Sequence, residues 1–225
     1  MKEQETAMKK TVLVALMMAI LLPLAGCGGH DNPPPVVTQI LSDPVYDGDI
    51  FKDNLLPPAF TVTQGMTLNP PVQSVFAGID PTPVTGGEYR AFLDFFLGGT
   101  AGVPLNAVID SAFLDMFVTS NVAGWIPLTI DLVSFQPPTL QYTDFERAIL
   151  GAWTFTTLNI NINQPNVAQK VTIDVTPLMA EAQRQGFQDF QVRILCGVGI
   201  IEIDDPTDPL VDRGQFAPLL QVSYF

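Results

Sequence analysis

Charge, cysteine and histidine are all scarce in this chain. Only 15% of its 225 residues are charged, one is His and two are Cys, whereas a soluble domain typically carries about 25% charged residues. A Ser–His or Cys–His nucleophile needs a positioned base within hydrogen-bond reach. The sole histidine, His30, lies in the Gly- and Pro-rich stretch GGHDNPPPVV, where it reads as a solvated spacer, so those chemistries are excluded. Zinc would lack its Cys and His ligands. Basic residues number 10 against 23 acidic, a net charge of −13. That balance argues against nucleic acid, which is held by clustered Lys and Arg. What the chain has in quantity is proline, 20 residues, and apolar side chains, 47%. This composition excludes a disordered acidic tail, a coiled coil and a collagen-like rod. Counting acids does not exclude a glycosidase-like carboxylate pair, but the expectation is a protein that is not an enzyme.

The longest apolar run is Thr11 to Leu24, preceded by Lys9 and Lys10. It has the length of a secretory signal core and falls short of the ~20 residues a membrane-spanning helix needs. Glu3 and Glu5 sit poorly in a positively charged leader, which points to Met8 as the start. Leu24-Ala25-Gly26-Cys27 follows and resembles the lipobox of bacterial lipoproteins. The small Ala25 and Gly26 let extended backbone enter a peptidase, and the thiol is the atom that receives lipid. The resemblance implies a signal peptide over 1–26 and a mature chain that begins at lipidated Cys27. One acyl chain contributes roughly 0.8 kcal/mol per buried methylene and binds reversibly; the two or three chains of a lipoprotein make a lasting anchor. Gly28 stands where aspartate commonly retains Gram-negative lipoproteins at the inner membrane, so the resemblance favours the outer membrane.

Without the leader, 7 basic and 21 acidic residues remain, and Cys196 is the one unmodified cysteine. No disulfide is then available within the chain. The net charge of −14 keeps the protein soluble and repels anionic headgroups. Residues 27–43 read as the lipidated cysteine and a tether, flexible at Gly28-Gly29 and stiffened by Pro33-Pro34-Pro35. Residues 44–225 read as a single domain, long enough to bury about 70% of its unfolded surface without disulfides.

Within that domain the hydrophobic period is two. Ala112, Leu114, Met116 and Val118 alternate with polar or exposed positions, as do Leu128, Ile130 and Leu132. The same holds for Val171, Ile173 and Val175, and for Phe190, Val192, Ile194 and Cys196. Five further segments, 59–64, 72–77, 88–96, 153–162 and 217–224, are rich in β-branched or aromatic residues and bounded by Pro, Gly or Asn. About nine strands in one domain imply an all-β sandwich of two packed sheets. Two short connecting helices are expected. Thr143 and Glu146 have capping-box spacing for one that ends at Gly151. Thr176 would cap the other, with Pro177 at its first position and Gly186 beyond its end.

The order of parts resembles a known family. Glu88-Tyr89-Arg90-Ala91-Phe92-Leu93-Asp94-Phe95, a Gly-Val-Pro-Leu turn at 102–105 and Ile109-Asp110-Ser111-Ala112-Phe113-Leu114 are similar to the DNRLRE-type domain of bacterial surface proteins. So are Ile173-Asp174-Val175-Thr176 and the closing Ala217–Tyr224 segment. The chain departs from that pattern at Phe96-Leu97 and at Gly151-Ala152-Trp153. The resemblance implies a jelly-roll sandwich related to carbohydrate-binding modules, with polysaccharide as the ligand class.

Few residues remain as candidates for a site. Exposed aromatics stack on sugar rings, which singles out Trp125 in a Gly-Trp-Ile-Pro turn, Tyr142 beside the capping box, and Trp153. Trp125 either offers such a face or closes the edge of the core, where its indole would need a partner. Trp153 begins an alternating strand and could equally be core. Cys196 on an apolar face reads as an inert core thiol, and Arg90 beside Glu88 as a structural ion pair. Asp204, Asp205, Asp208 and Asp212 in the last long loop, and Asp47, Asp49 and Asp53 near the domain start, are oxygen-rich turns of the kind that hold structural calcium; otherwise they are solvated bends. Two functions compete: an anchored polysaccharide binder, and an assembly protein packing against other envelope proteins. Mass spectrometry of the mature protein should find a lipid-modified Cys27 as its first residue; an unmodified thiol there would remove the anchor.

Overall fold

Alternating side chains become paired strands because each strand can bury one face only by stacking on a second layer. The computed structural model describes residues 34–65, 73–100, 102–135, 139–152, 154–206 and 213–225. The leader, Cys27 and His30 lie outside the described residues, as do Trp153, Asp208 and Asp212. Among the described residues twelve strands are formed: β1 (Val36–Leu41), β2 (Gly48–Asp53), β3 (Phe60–Gln64), β4 (Ser74–Asp80), β5 (Gly87–Phe96) and β6 (Ile109–Ser120), then β7 (Gly124–Val133), β8 (Phe155–Ile162), β9 (Gln169–Asp174), β10 (Asp189–Cys196), β11 (Ile200–Asp204) and β12 (Leu219–Tyr224). Every ladder is antiparallel.

One layer contains β1, β12, β6, β9, β11 and β4. The other runs β3-β2-β5-β10-β7-β8. Among the described residues the strand ladder passes between them where β4 meets β5, from Gly78 opposite Tyr89 to Asp80 opposite Gly87. The inward rows of both layers share one core: Leu114, Met116 and Val118 of β6 with Leu128 and Ile130 of β7, Val192 and Ile194 of β10 and Leu93 of β5. The chain is thus an all-β, sandwich-like protein of jelly-roll character. Cys196 closes the end of the β10 row, 4% exposed and unpaired, its Sγ donating to the Val198 carbonyl at 3.2 Å. Burial pushes its thiol pKa up, which makes it unreactive.

All nine expected strands are present, and three more were not anticipated. β1 occupies residues that read as tether. Its Val36 to Leu41 pair with Tyr224 to Leu219 at a sheet edge, where neither face is fully buried and alternation is weak. β2 (GDIFKD) carries Gly, Asp and Lys in place of an apolar row, yet Asp49 and Ile50 are both buried. β11 shows Ile201 and Ile203 inward, but its proximity to four aspartates reads as a loop.

The helices begin where expected, with different caps, but the first ends at Glu146 rather than Gly151. Residues Tyr142–Glu146 form a 3-10 turn in which Gln141 takes the cap position, its amide donating to Asp144 Oδ2 at 2.8 Å. Thr143 and Glu146 therefore do not form the box. Helix α1 (Thr176–Arg184) starts after Val175, and Asp174 Oδ1 accepts the Thr176 amide at 2.9 Å. The Thr176 hydroxyl is free to bond the Ala112 backbone, accepting from its amide at 2.9 Å. This ties α1 to β6, and Leu178, Met179 and Ala182 plug the end of the core. A single further turn, α2 (Arg213–Phe216), precedes β12.

Gly78 sits at the crossing between layers with φ of +136°, and a Cβ there would lie 2.1 Å from the Gly199 carbonyl oxygen. Both the torsion and the contact require glycine. Gly78→Ala should cost about 2 kcal/mol or more, and for a domain of this size lower the melting temperature by about 4–8 °C, as calorimetry would show.

Candidate functional site

The outer face of the β3-to-β8 layer is divided into a covered half and an open half. Arg193 on β10 makes the division. Its guanidinium is buried, 5% exposed, and donates through Nη2 to Asp131 Oδ2 at 2.6 Å. Its Nη1 donates to the carbonyls of Phe145 and Arg147, each at 2.9 Å. Arg90 also reaches the Phe145 carbonyl, pairs with Glu88 at 2.7 Å, and stacks over the Phe145 ring at 3.9 Å. Gln191 accepts the Phe135 amide at 2.8 Å and donates to Asp94 at 2.6 Å. These bonds hold the residues from Leu140 to Arg147 flat against β5 and β10, with Phe145, Phe135 and Leu140 forming a second apolar cluster with Ile50, Phe92 and Val133. Removing one partner of such a buried pair costs about 3–5 kcal/mol, because the other is left uncompensated.

Beyond this strap, β7 and β8 remain open. Trp125 is 71% exposed. It lies on β7 rather than in a turn, opposite Asn161 of β8. Pro127 made this segment look like a turn. Its carbonyl accepts the Gly197 amide at 2.9 Å, so its missing N–H faces the end of β10, where the ladder finishes and no donor is lost. Along β8 the outward residues Phe155, Thr157, Asn159 and Asn161 are all exposed. Thr129 and Thr157 face each other with their hydroxyls 3.4 Å apart. Phe155, opposite Asp131, marks the far end of the row, six residues from Trp125 in ladder register, about 20 Å at the rise of a β-strand. Past Asn161, an amide chain continues: Asn161 Nδ2 donates to Asn163 Oδ1 at 3.4 Å, and Asn163 Nδ2 to Gln169 Oε1 at 3.3 Å.

Of the two aromatic candidates among the described residues, this strip contains one, Trp125. Tyr142 is 60% exposed but packs 5.8 Å from Phe60 of β3, at the opposite edge of the layer from β8. The structure does not bring it together with Trp125. Phe155 and the two asparagines were not singled out from the sequence. Their period-two placement on an edge strand with no charged residue, FTTLNINI, was the available signal.

The aspartates are dispersed. Asp205 turns inward to Ser42 and Asp47, and Arg213 Nη2 donates to its Oδ1 at 3.3 Å. Asp204 stays half-buried at the end of β11, its pKa raised by burial and by Glu202. Asp53 closes its own turn, accepting the amides of Leu55 and Ala59, and Asp49 accepts the Phe76 amide at 3.1 Å. Among the described residues no three acidic, Cys or His side chains gather as a metal site. Asp47 is fully buried; burial first, and the charge of Asp205 second, push its carboxyl pKa well above the usual range.

Compared with protein-family models and with curated proteins, the chain matches none. Fold and site together define an all-β sandwich-like protein with an uncharged aromatic and amide strip on one edge of one layer.

Burial raises Asp49 to about 7 and Asp94 and Asp205 to about 6, against an ordinary value near 4. The folded state therefore holds extra protons between those limits. Their contribution to stability is complete below pH ~4 and fades as pH rises through 6–7. The melting temperature should fall from pH 4.5 to pH 8, and Asp47→Asn should flatten that slope; a melting temperature that rises over this range would contradict it.

Proposed function

We propose that this is a lipid-anchored protein of the bacterial cell envelope, attached through Cys27 at the outer membrane, whose sandwich domain binds polysaccharide along the β7–β8 strip. The observation that carries the reading is Trp125. An indole left 71% exposed on a regular strand, on a face whose other half is tightly covered, offers a flat apolar surface for a sugar ring. Asn161 beside it supplies both a donor and an acceptor. The lipobox-like Leu24-Ala25-Gly26-Cys27 supports the anchor, and the resemblance to DNRLRE-type domains supports the ligand class. Among the described residues no helix is long and apolar enough to cross a membrane.

A second reading, an assembly protein that packs against other envelope proteins, is favoured by the edge strand β1, whose Val36 and Val37 are 52% and 55% exposed. Retention on a glycan array separates the two. The wild-type chain should be retained, and Trp125→Ala should weaken retention about tenfold without moving the melting temperature. Absence of retention on every glycan would favour assembly.

A further inference from the structure

We infer that the β7–β8 strip takes an uncharged glycan chain lying lengthwise along β8, with its two ends against Trp125 and Phe155. The inference rests on the reading of the strip as a polysaccharide site and adds the class and orientation of the chain. Four outward positions of β8, from Phe155 to Asn161, and the facing Trp125 and Thr129 carry no charge. The one charged residue on the adjoining row, Asp131, is buried and neutralised by Arg193. Among the described residues of the strip no guanidinium or ammonium is free to pair with a uronate or sulfate, which is how acidic glycans are held. The net charge of −13 over the whole chain adds a repulsive field for polyanions.

What the strip does offer suits neighbouring hydroxyls. The carboxamides of Asn159 and Asn161 each present a donor and an acceptor, and Asn161 is oriented by Asn163, itself held by Gln169. The hydroxyls of Thr129 and Thr157 lie between the aromatic ends. Side chains of one face repeat along the strand axis, so the row of polar groups runs parallel to β8. A chain laid along it meets each in turn, while one laid across it would leave either Trp125 or Phe155 unused.

The test is affinity electrophoresis and calorimetry of the full-length chain in detergent. The neutral probes are hydroxyethylcellulose, galactomannan and arabinoxylan; the acidic probes are alginate and polygalacturonate. At least one neutral polymer should bind, with an affinity unchanged between low and high salt, since no ion pair is screened. Oligosaccharides of that polymer should bind more tightly with length until both ends are spanned, and Phe155→Ala should remove the gain from the longer ones. Asn161→Ala, at an exposed position, should weaken binding several-fold with an unchanged melting temperature. Binding confined to the acidic probes, or abolished by salt, would overturn this inference and leave polysaccharide binding standing. Neutral binding indifferent to Trp125→Ala and Asn161→Ala would also overturn it. Binding to neither class would overturn both this inference and the function on which it rests.

Discussion

A buried guanidinium must find enough acceptors to replace its water, and Arg193 satisfies that need in a way that organises one whole face of the domain. Asp131 on the neighbouring strand neutralises it, and the carbonyls of Phe145 in the 3-10 turn and of Arg147 just after it complete it. Because those carbonyls are backbone groups, the segment cannot move away without stranding the charge. Phe145 is thereby pressed between Arg90 and the second apolar cluster. The cover reaches β5, β10 and the Asp131–Val133 end of β7 and stops there, so the rest of β7 and β8 present outward side chains to solvent. The open strip is thus a consequence of where the strap ends.

The second constraint is acidity. A chain with few bases buries several aspartates; Asp131, Asp144 and Asp205 pair with arginines, while others are held by neutral groups. Asp94 takes Gln191, Asp49 takes a backbone amide, and Asp47, its carboxyl pKa pushed up by burial, lies beside Asp205. These groups tie the segment entering β2 to β5, to β11 and to α2, which joins parts of the chain far apart in sequence. Lacking disulfides, the domain secures its ends with hydrogen-bonded acids that are neutral or shared. Protonation and folding are coupled as a result, and mild acid favours the compact state.

Period-two alternation made four strands and their inward rows legible, since an apolar residue at every second position can be buried only one way; β-branched and aromatic content between turn residues marked five more. Alternation also placed Cys196 in the core, and Thr176, Pro177 and Gly186 placed a helix after Val175. It failed at β1, an edge strand following three prolines, and at β2, whose buried row includes an aspartate. Pro127 concealed the strand under Trp125, because a missing donor is harmless only where the neighbouring ladder ends, and that is a property of β10. The aspartate-rich loops read alike in sequence, whereas in the fold Asp205 is buried while Asp204 is not.

The amino-acid sequence by itself determined the all-β class, most of the strands and their inward faces, because these follow from composition and from contacts between near neighbours. Only the tertiary structure decided that Trp125 faces solvent, that Tyr142 lies at the other edge, and that Phe155 and two asparagines extend the strip. Which outward row is covered depends on segments that meet across long separations, and local alternation carries no record of that meeting.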